Sequence, residues 1–384
     1  MARIHAVYIV SLKFAPGLKK EFQLIGENIR KHGFDVAYLL ADKYAALGEE
    51  MPGTVYIKTG KGVFGLMLET LQNVSFKNIF TLFSVKPPLF LLFYNPHPLN
   101  PLLAGKLKRE FPDCKSALFL HDPYKQDKRV YGWAKYVFYQ ITEWIQALTL
   151  RKMDIVISPS VYSSHLLKKR FPWYTNLNVI APLMIPDQVP QTAAPRKYFS
   201  IVGTAHNATG HDKFVSLVNY TVRRKKNIGF AIISSSNIHG FIRHVDEAAL
   251  PYLKIINKKI ISDPEISEIV SQSYAVLRLD ADITQSGVIP VCYMNSTPVI
   301  APNSPGFTQH IQHGINGYIL PTAYSNDDLL KAMEFVRDNF EMLSSNARAS
   351  YENIWSNKNW DESYAWLIDS LKASSVALSP KTKT

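Results

Sequence analysis

The sequence is poor in cysteine, in uninterrupted apolar stretches and in metal-binding or nucleic-acid-binding spacings. Two cysteines in 384 residues, Cys114 and Cys292, cannot staple a disulfide framework and fit a reducing compartment. Each lies within or beside an apolar segment and reads as a buried small hydrophobe. The longest apolar region, Phe76 to Tyr94, is broken by Lys77, Lys86 and the pair Pro87-Pro88. A membrane helix needs ~20 consecutive apolar residues, so this region does not qualify. Its last part, Leu89 to Tyr94, reads instead as a strand buried on both faces of a parallel sheet. Residues 1–10 also read as a strand, because the apolar run is too short for a secretory leader and lacks a small-residue cleavage site. No histidine or cysteine cluster has zinc-site spacing, and no Ser/His/Asp or Cys/His set has the spacing of a nucleophilic site. The absence of helix-turn-helix, zinc-finger and RNP-type motifs argues against nucleic acid as a partner. A cytoplasmic protein is expected.

What is present suits two domains. Hydrophobic residues make up 47% and aromatics 12%, ample for two cores at the usual ~150 residues per domain. Residues 181–195 carry four prolines and little helical pattern, the composition of an extended linker. Strands alternate with helices on both sides of it, which predicts two parallel sheets. In the second half the expected strands are Phe230–Ser234, Lys258–Ser262, Ala275–Leu279 and Thr297–Ala301. The division read from this is 1–181 for a first Rossmann-like domain, 182–196 for the linker and 197–355 for a second. A terminal helix over 356–372 and a loose tail over 373–384 complete it.

Charge is uneven. Residues 1–195 hold 24 Lys+Arg against 14 Asp+Glu, and residues 196–384 hold 19 against 17, so nearly all of the +12 lies in the first half. Its clusters are Lys19-Lys20, Arg30-Lys31, Lys106-Lys108-Arg109, Lys125-Lys128-Arg129 and Lys168-Lys169-Arg170. An anionic membrane or a pyrophosphate-bearing acceptor would explain that bias. Residues 131–152 form a helix dense in Trp, Tyr and Phe beside these clusters. Such a helix is either an ordinary core helix or one lying partly at a membrane interface. Peripheral contact with an inner membrane face is therefore an open alternative.

The most informative stretch runs from Ser273 to Leu320. An apolar strand ends in Arg278-Leu279-Asp280, and a polar loop with Asp282, Gln285, Ser286 and Gly287 follows. A short helix, a strand opened by Pro298 and a turn from Gly314 to Gly317 complete a βαβ unit with a ligand-facing loop. This order resembles the donor-sugar half of the GT-B glycosyltransferases, specifically glycosyltransferase family 4. The resemblance extends along the chain. Ile4–Val10 matches the family's first strand, Pro16-Gly17-Leu18 its loop and residues 31–36 the turn into its second strand. Leu118 to His121, with Asp122 after it, matches a strand ending in a functional histidine. Met153 to Ser160 resembles the strand-then-serine signature. Phe199 to Gly203, followed by Gly210 to Phe214, resembles the strand and phosphate loop that open the second domain.

The resemblance implies a GT-B fold, with two Rossmann-like domains whose parallel sheets face a central cleft, and a terminal helix crossing back to the first domain. It implies a glycosyltransferase that moves a sugar from a nucleotide-sugar to a glycan or lipid-linked acceptor, with retention, in surface polysaccharide synthesis of bacterial type. Gly203, Thr204, Gly210, Arg278, Asp280, Asp282, Gln285, Ser286 and Gly287 are the expected donor-binding residues. His121 and Asp122 are the expected catalytic residues, and Gly17 and His97 the acceptor-side ones. No metal or other cofactor is expected.

Two departures stand against this frame. Counting back from Pro298, the family's paired glutamates fall on Ile283 and Val291, which cannot hold a sugar hydroxyl. Thr204 and Thr209 stand where the phosphate loop's basic pair is expected, leaving Arg278 and Lys213 as the candidate cations. Arg278 could instead pair with Asp280, and Lys213 could simply be solvated. Asp280 and Asp282 also form the Asp-x-Asp pattern of metal-dependent GT-A enzymes, although a full βα domain and a linker precede it here. The other reading is a non-catalytic GT-B protein that binds nucleotide or glycan as a partner subunit.

Overall fold

The computed structural model describes residues 5–48, 51–59, 74–124, 133–189, 195–205, 207–280 and 283–378. They form two compact units, one running to Met184 and resuming at Trp360, the other spanning Ile185–Asn359.

Among the described residues, the first unit holds a seven-stranded sheet ordered β3-β2-β1-β4-β5-β6-β7. Its strands are β1 Ala6–Ser11, β2 Asp35–Ala41, β3 Thr54–Ile57, β4 Pro88–Tyr94, β5 Lys115–Phe119, β6 Ile155–Ser158 and β7 Leu177–Ile180. All pair in parallel. Helices α1 Lys19–Lys31, α2 Val74–Val85, α3 Leu99–Glu110, α4 Trp133–Leu150 and α5 Val161–Arg170 connect them. Strand alternation divides the core between the two faces of the sheet. Val7, Ile9, Leu92 and Tyr94 face one cluster, and Tyr8, Val10, Leu91 and Phe93 the other. At roughly 1.5–3 kcal/mol for each large apolar side chain buried, β4, buried at all seven positions, anchors the unit.

The second unit repeats the scheme with six strands, ordered β10-β9-β8-β11-β12-β13 and also parallel. They are β8 Tyr198–Val202, β9 Gly229–Ser234, β10 Leu253–Asn257, β11 Ser273–Leu277, β12 Val299–Pro302 and β13 Gly317–Leu320. Its main helices are α6 His211–Arg223, α7 Asp263–Ser271, α8 Val288–Met294, α9 Asn326–Asp338 and α10 Phe340–Ile354. Two residues before β8, Arg196 donates to the carbonyls of Val270, Ser273, Asn295 and Ser296 and to Thr297 Oγ1.

Three sequence expectations need correction. The strand expected over Lys258–Ser262 forms five residues earlier, as β10. The two segments carry similar apolar pairs, and pairing decides between them: Leu253 registers with Phe230 on β9, while Ile260 is left exposed. The strand expected over Ala275–Leu279 ends at Leu277, leaving Arg278 beyond it. The final helix, α11 Ala365–Leu378, continues past Lys372 into the segment expected to be loose. Burial holds it there, because Leu371 and Ser374 are both covered. Trp360, Tyr364, Leu367, Ile368 and Leu371 share one core cluster with Phe22, Tyr44 and Tyr94 of the first unit. The Tyr364 hydroxyl donates to the Pro182 carbonyl at 3.2 Å. Both cysteines are buried and free, and among the described residues no helix is long and apolar enough to cross a membrane.

Candidate functional site

In each sheet the strand order reverses beside the unit's first strand, between β1 and β4 and between β8 and β11. Ligands of open α/β sheets bind at such points, beyond the carboxyl ends of the strands. His121 and Asp122 of the first unit, and Gly203, Gly210, Arg278 and Asp280 of the second, lie there.

In the first unit, a cavity of about 120 Å³ opens at that position. Lys13 enters from the loop after β1, Asn95 and Pro96 from the end of β4, and Leu120, His121 and Asp122 from the end of β5. Phe138, Tyr139, Thr142, Glu143 and Gln146 of α4 close it. Asn95 adopts φ +59°, the left-handed conformation that asparagine tolerates better than most residues. Two residues after Phe119, His121 shares its face of the strand line. The imidazole stacks on Phe119 at 4.7 Å, and Phe119 stacks on Tyr94 at 5.2 Å. Burial lowers the His121 pKa to about 4, against the opposing pull of Asp122. The imidazole is therefore neutral at pH 7, and its Nε2 has no partner among the described residues. It can exchange a hydrogen bond with a hydroxyl but carries no positive charge with which to steady an anion. Asp122 lies exposed beside it.

The other acceptor-side expectations fall outside this cavity. His97 is buried, and its Nδ1 accepts from the Leu99 amide at 3.2 Å at the start of α3. Burial, with Lys13 nearby, lowers its pKa to about 4. Gly17 lies in a 3₁₀ turn with open space where a side chain would project. It does not line the cavity, and nothing there requires glycine. Lys13, Glu143 and Gln146 were missed by the sequence reading. Lys13 had a signal in its place two residues after β1. Glu143 and Gln146 had none, because their helix reads as aromatic and apolar.

In the second unit, Gly203 follows β8 at φ +125° and Gly210 precedes α6 at φ +72°. A Cβ on Gly210 would lie 2.4 Å from Leu279 Cβ and 2.6 Å from its carbonyl oxygen. The loop thus sits against the end of β11 only because that position is glycine. Thr204 is exposed in this loop. Arg278 ties the two strand ends together: Nη1 donates to the Val202 carbonyl at 2.7 Å and Nη2 to Asp280 Oδ1 at 2.9 Å. The side chains of this ion pair are only 11% and 8% exposed. Of the two roles open to Arg278, pairing with Asp280 is the one that forms, although Nε remains buried without a partner among the described residues. Lys213 is not merely solvated either. Its ammonium lies over the Tyr324 ring at 4.5 Å and donates to the hydroxyl at 3.2 Å.

The loop before α8 is braced from one side by Gln309, whose Nε2 donates to the carbonyls of Thr284 and Gly306. Gly306 is the residue that allows this approach, since a Cβ there would lie 2.2 Å from the Ile283 carbonyl oxygen. Gln285 Oε1 is buried without a partner among the described residues. Ser286 Oγ accepts from the Val288 amide at 3.3 Å. Gly287 is exposed, and a Cβ there would meet no atom within 4 Å among the described residues. Ile283 and Val291, at the positions of the missing glutamates, pack against the core cluster of Val276, Ile289 and Tyr293. Asp282, His206 and the cluster Lys125-Lys128-Arg129 lie outside the described residues. Among the described residues, no group of three His, Cys, Asp or Glu could hold a metal ion.

No family model and no curated protein matches this sequence. Solved structures do. Sucrose-phosphate synthase from Thermosynechococcus elongatus superposes with a TM-score of 0.73 at 14% identity, over 98% of this chain and 100% of its own. HepE from Anabaena, crystallised with UDP, gives 0.70 at 12% identity, over 95% and 100%. WaaG, a glycosyltransferase of lipopolysaccharide biosynthesis, gives 0.66 at 13% identity, over 97% and 100%. With two parallel Rossmann-like sheets, each reversing at its first strand, the chain has the GT-B fold of these glycosyltransferases.

Proposed function

We propose that the protein is a glycosyltransferase, moving a sugar from a nucleotide-sugar to a glycan or lipid-linked acceptor in surface polysaccharide synthesis of bacterial type. The observation that carries this reading is the second unit's switch point. There, two glycines at positive φ let the loop between β8 and α6 pack against the end of β11, which leads into the polar loop of Gln285, Ser286 and Gly287. The backbone N–H groups of such a loop suit a diphosphate, whose charge needs donors more than it needs covalent chemistry. UDP in the HepE structure is in keeping with that. On this reading Asp280 and Gln285 take sugar hydroxyls, and the kinship is with family 4, with retention of configuration. In the first unit, His121 and Asp122 face the acceptor hydroxyl, and the neutral imidazole hydrogen-bonds it. The reading puts the protein in the cytoplasm, in keeping with two buried, unpaired cysteines. It invokes no metal ion, since Asp280 is already charge-paired with Arg278.

One observation favours the non-catalytic alternative: the family's paired glutamate positions are occupied by Ile283 and Val291, which pack into the core. Thermal-shift screening against UDP, GDP, ADP and CMP, followed by turnover of the matching nucleotide-sugars, separates the two. Nucleotide stabilisation with turnover supports the transferase, and stabilisation without turnover supports the partner subunit. Gly287→Val should keep the fold and lose the nucleotide shift, since open space receives the side chain. Unchanged affinity in the folded variant would remove the nucleotide from this loop. EDTA should leave turnover intact; loss restored by manganese would revive the metal reading of Asp280 and Asp282.

A further inference from the structure

Helix α4 has its polarity inside out. The buried side carries Glu143, Gln146 and Thr149, whereas the exposed side carries Trp133, Val137 and Trp144 at helical spacing. Trp133 is 79% exposed and Trp144 61%. Glu143 is the helix's single acidic residue, and it is turned inward to Arg170 Nη2 at 3.1 Å. The inner polar groups have work there, because Thr142, Glu143 and Gln146 line the cavity that holds His121. Among the described residues, none of the three residues of the outer stripe belongs to a core cluster of the first unit.

Its surroundings are basic. Arg151 follows the helix on the same stripe and lies over the Trp173 ring at 5.5 Å, and Trp173 is itself exposed. Lys152, Lys168 and Lys169 are exposed nearby in the chain, the latter two next to the Arg170 that pairs with α4. Other basic clusters are engaged locally: Lys19 with the Gly48 carbonyl, Arg30 with the carbonyls of Val36 and Pro52, and Lys108 with Asp154. Exposed indoles flanked by exposed cations match the interface of an anionic bilayer, where rings sit at the headgroup level and cations meet lipid phosphates. A second copy of this chain fits poorly, since self-pairing would oppose like charges.

We propose that the outer face of α4 seats the protein on an anionic phospholipid surface, and that the acceptor is carried in that surface. The acceptor's polar head would enter the cavity lined by the inner face of the same helix while its anchor stays in the lipid. The acceptor clause rests on the glycosyl-transfer reading; the docking clause does not.

The test is co-sedimentation with vesicles of phosphatidylcholine alone and of phosphatidylcholine with about one third phosphatidylglycerol. Tryptophan emission is followed in parallel. Wild type should partition onto the anionic vesicles with a blue shift, and bind several-fold less at about 1 M salt, where screening is short-ranged. The exposed pair Trp133→Ser/Trp144→Ser should lower partitioning about tenfold or more, with the melting temperature and any nucleotide shift unchanged. Arg151→Glu/Lys152→Glu should weaken anionic binding without altering the fold. Absence of vesicle binding overturns the proposal, as does self-association that the tryptophan pair abolishes, or binding to single-stranded RNA in place of lipid. Vesicle binding by a protein with no nucleotide response would keep the docking surface and remove the transferase reading. A nucleotide response without vesicle binding would do the reverse.

Discussion

The two units share one topology and differ in how they make a polar site at its switch point. The first leaves a cavity between strand ends and α4, into which His121 brings an imidazole whose Nε2 is unpartnered among the described residues. The second fills the same position with the Arg278–Asp280 pair and two left-handed glycines. A cavity lined by rings and by the neutral His121 imidazole suits hydroxyls, and a glycine loop that lets a ligand approach the backbone suits phosphate. The difference is in keeping with the proposal made above, of acceptor chemistry in the first unit and donor chemistry in the second.

Three measurements would break or sharpen that contrast. The largest effect is expected in the second unit. Arg278→Met leaves Asp280 buried without its cation, a change that costs about 3–5 kcal/mol where ion pairs are well covered. Hydrogen exchange should rise around β8 and β11 and not around β1 and β4. An unaffected second unit would mean that Arg278 is not the clamp between its strand ends.

The next effect separates the two buried histidines of the first unit. His121→Ala should lower kcat about 100-fold, or about 2.7 kcal/mol in barrier, with the fold intact. His97→Ala should cost about 1 kcal/mol of stability through its lost contact with the start of α3, and leave kcat unchanged. Equal kinetic losses would put both rings in one site and undo the division drawn from the cavity.

The smallest effect is a pH dependence confined to the first unit. Burial raises the Glu21 pKa from 4.5 to about 8. Between those values the folded state holds a proton that the unfolded chain releases, so stability falls as pH rises. The histidines run the other way. With folded values near 4 against 6.5 unfolded, His97, His121 and His310 reduce stability only as pH falls below 6.5. The window from pH 6.5 to 8 therefore isolates Glu21, at about 2 kcal/mol for the 1.5-unit span. Denaturant melts across that window should show the loss in wild type and not in Glu21→Gln. A loss that persists in the variant would place its origin elsewhere.

Much of this was legible in the sequence. Strand β4 announces itself because Leu89 to Tyr94 is apolar at every position, as a strand covered on both faces must be. Gly210 was legible as a special position because a tight approach of backbone needs glycine and few residues substitute for it. The choice between β10 and the next apolar pair was not legible, because two similar five-residue segments compete and only pairing with β9 decides. The inward turn of Glu143 and Gln146 was equally hidden. A helix of tryptophan, tyrosine and phenylalanine looks the same in sequence whichever side faces the protein.

Order along the chain and the spacing of apolar residues determined the two parallel sheets and their turning points, because periodicity and punctuation are local properties. Tertiary structure decided which charges are engaged. Arg278 became a clamp, His97 a helix-end partner and Glu143 a cavity wall, while Trp133 and Trp144 were left facing out. The physical reason is that burial, and partners such as Val202 for Arg278 and Arg170 for Glu143, come from residues tens of positions away, which only the packed structure brings within reach.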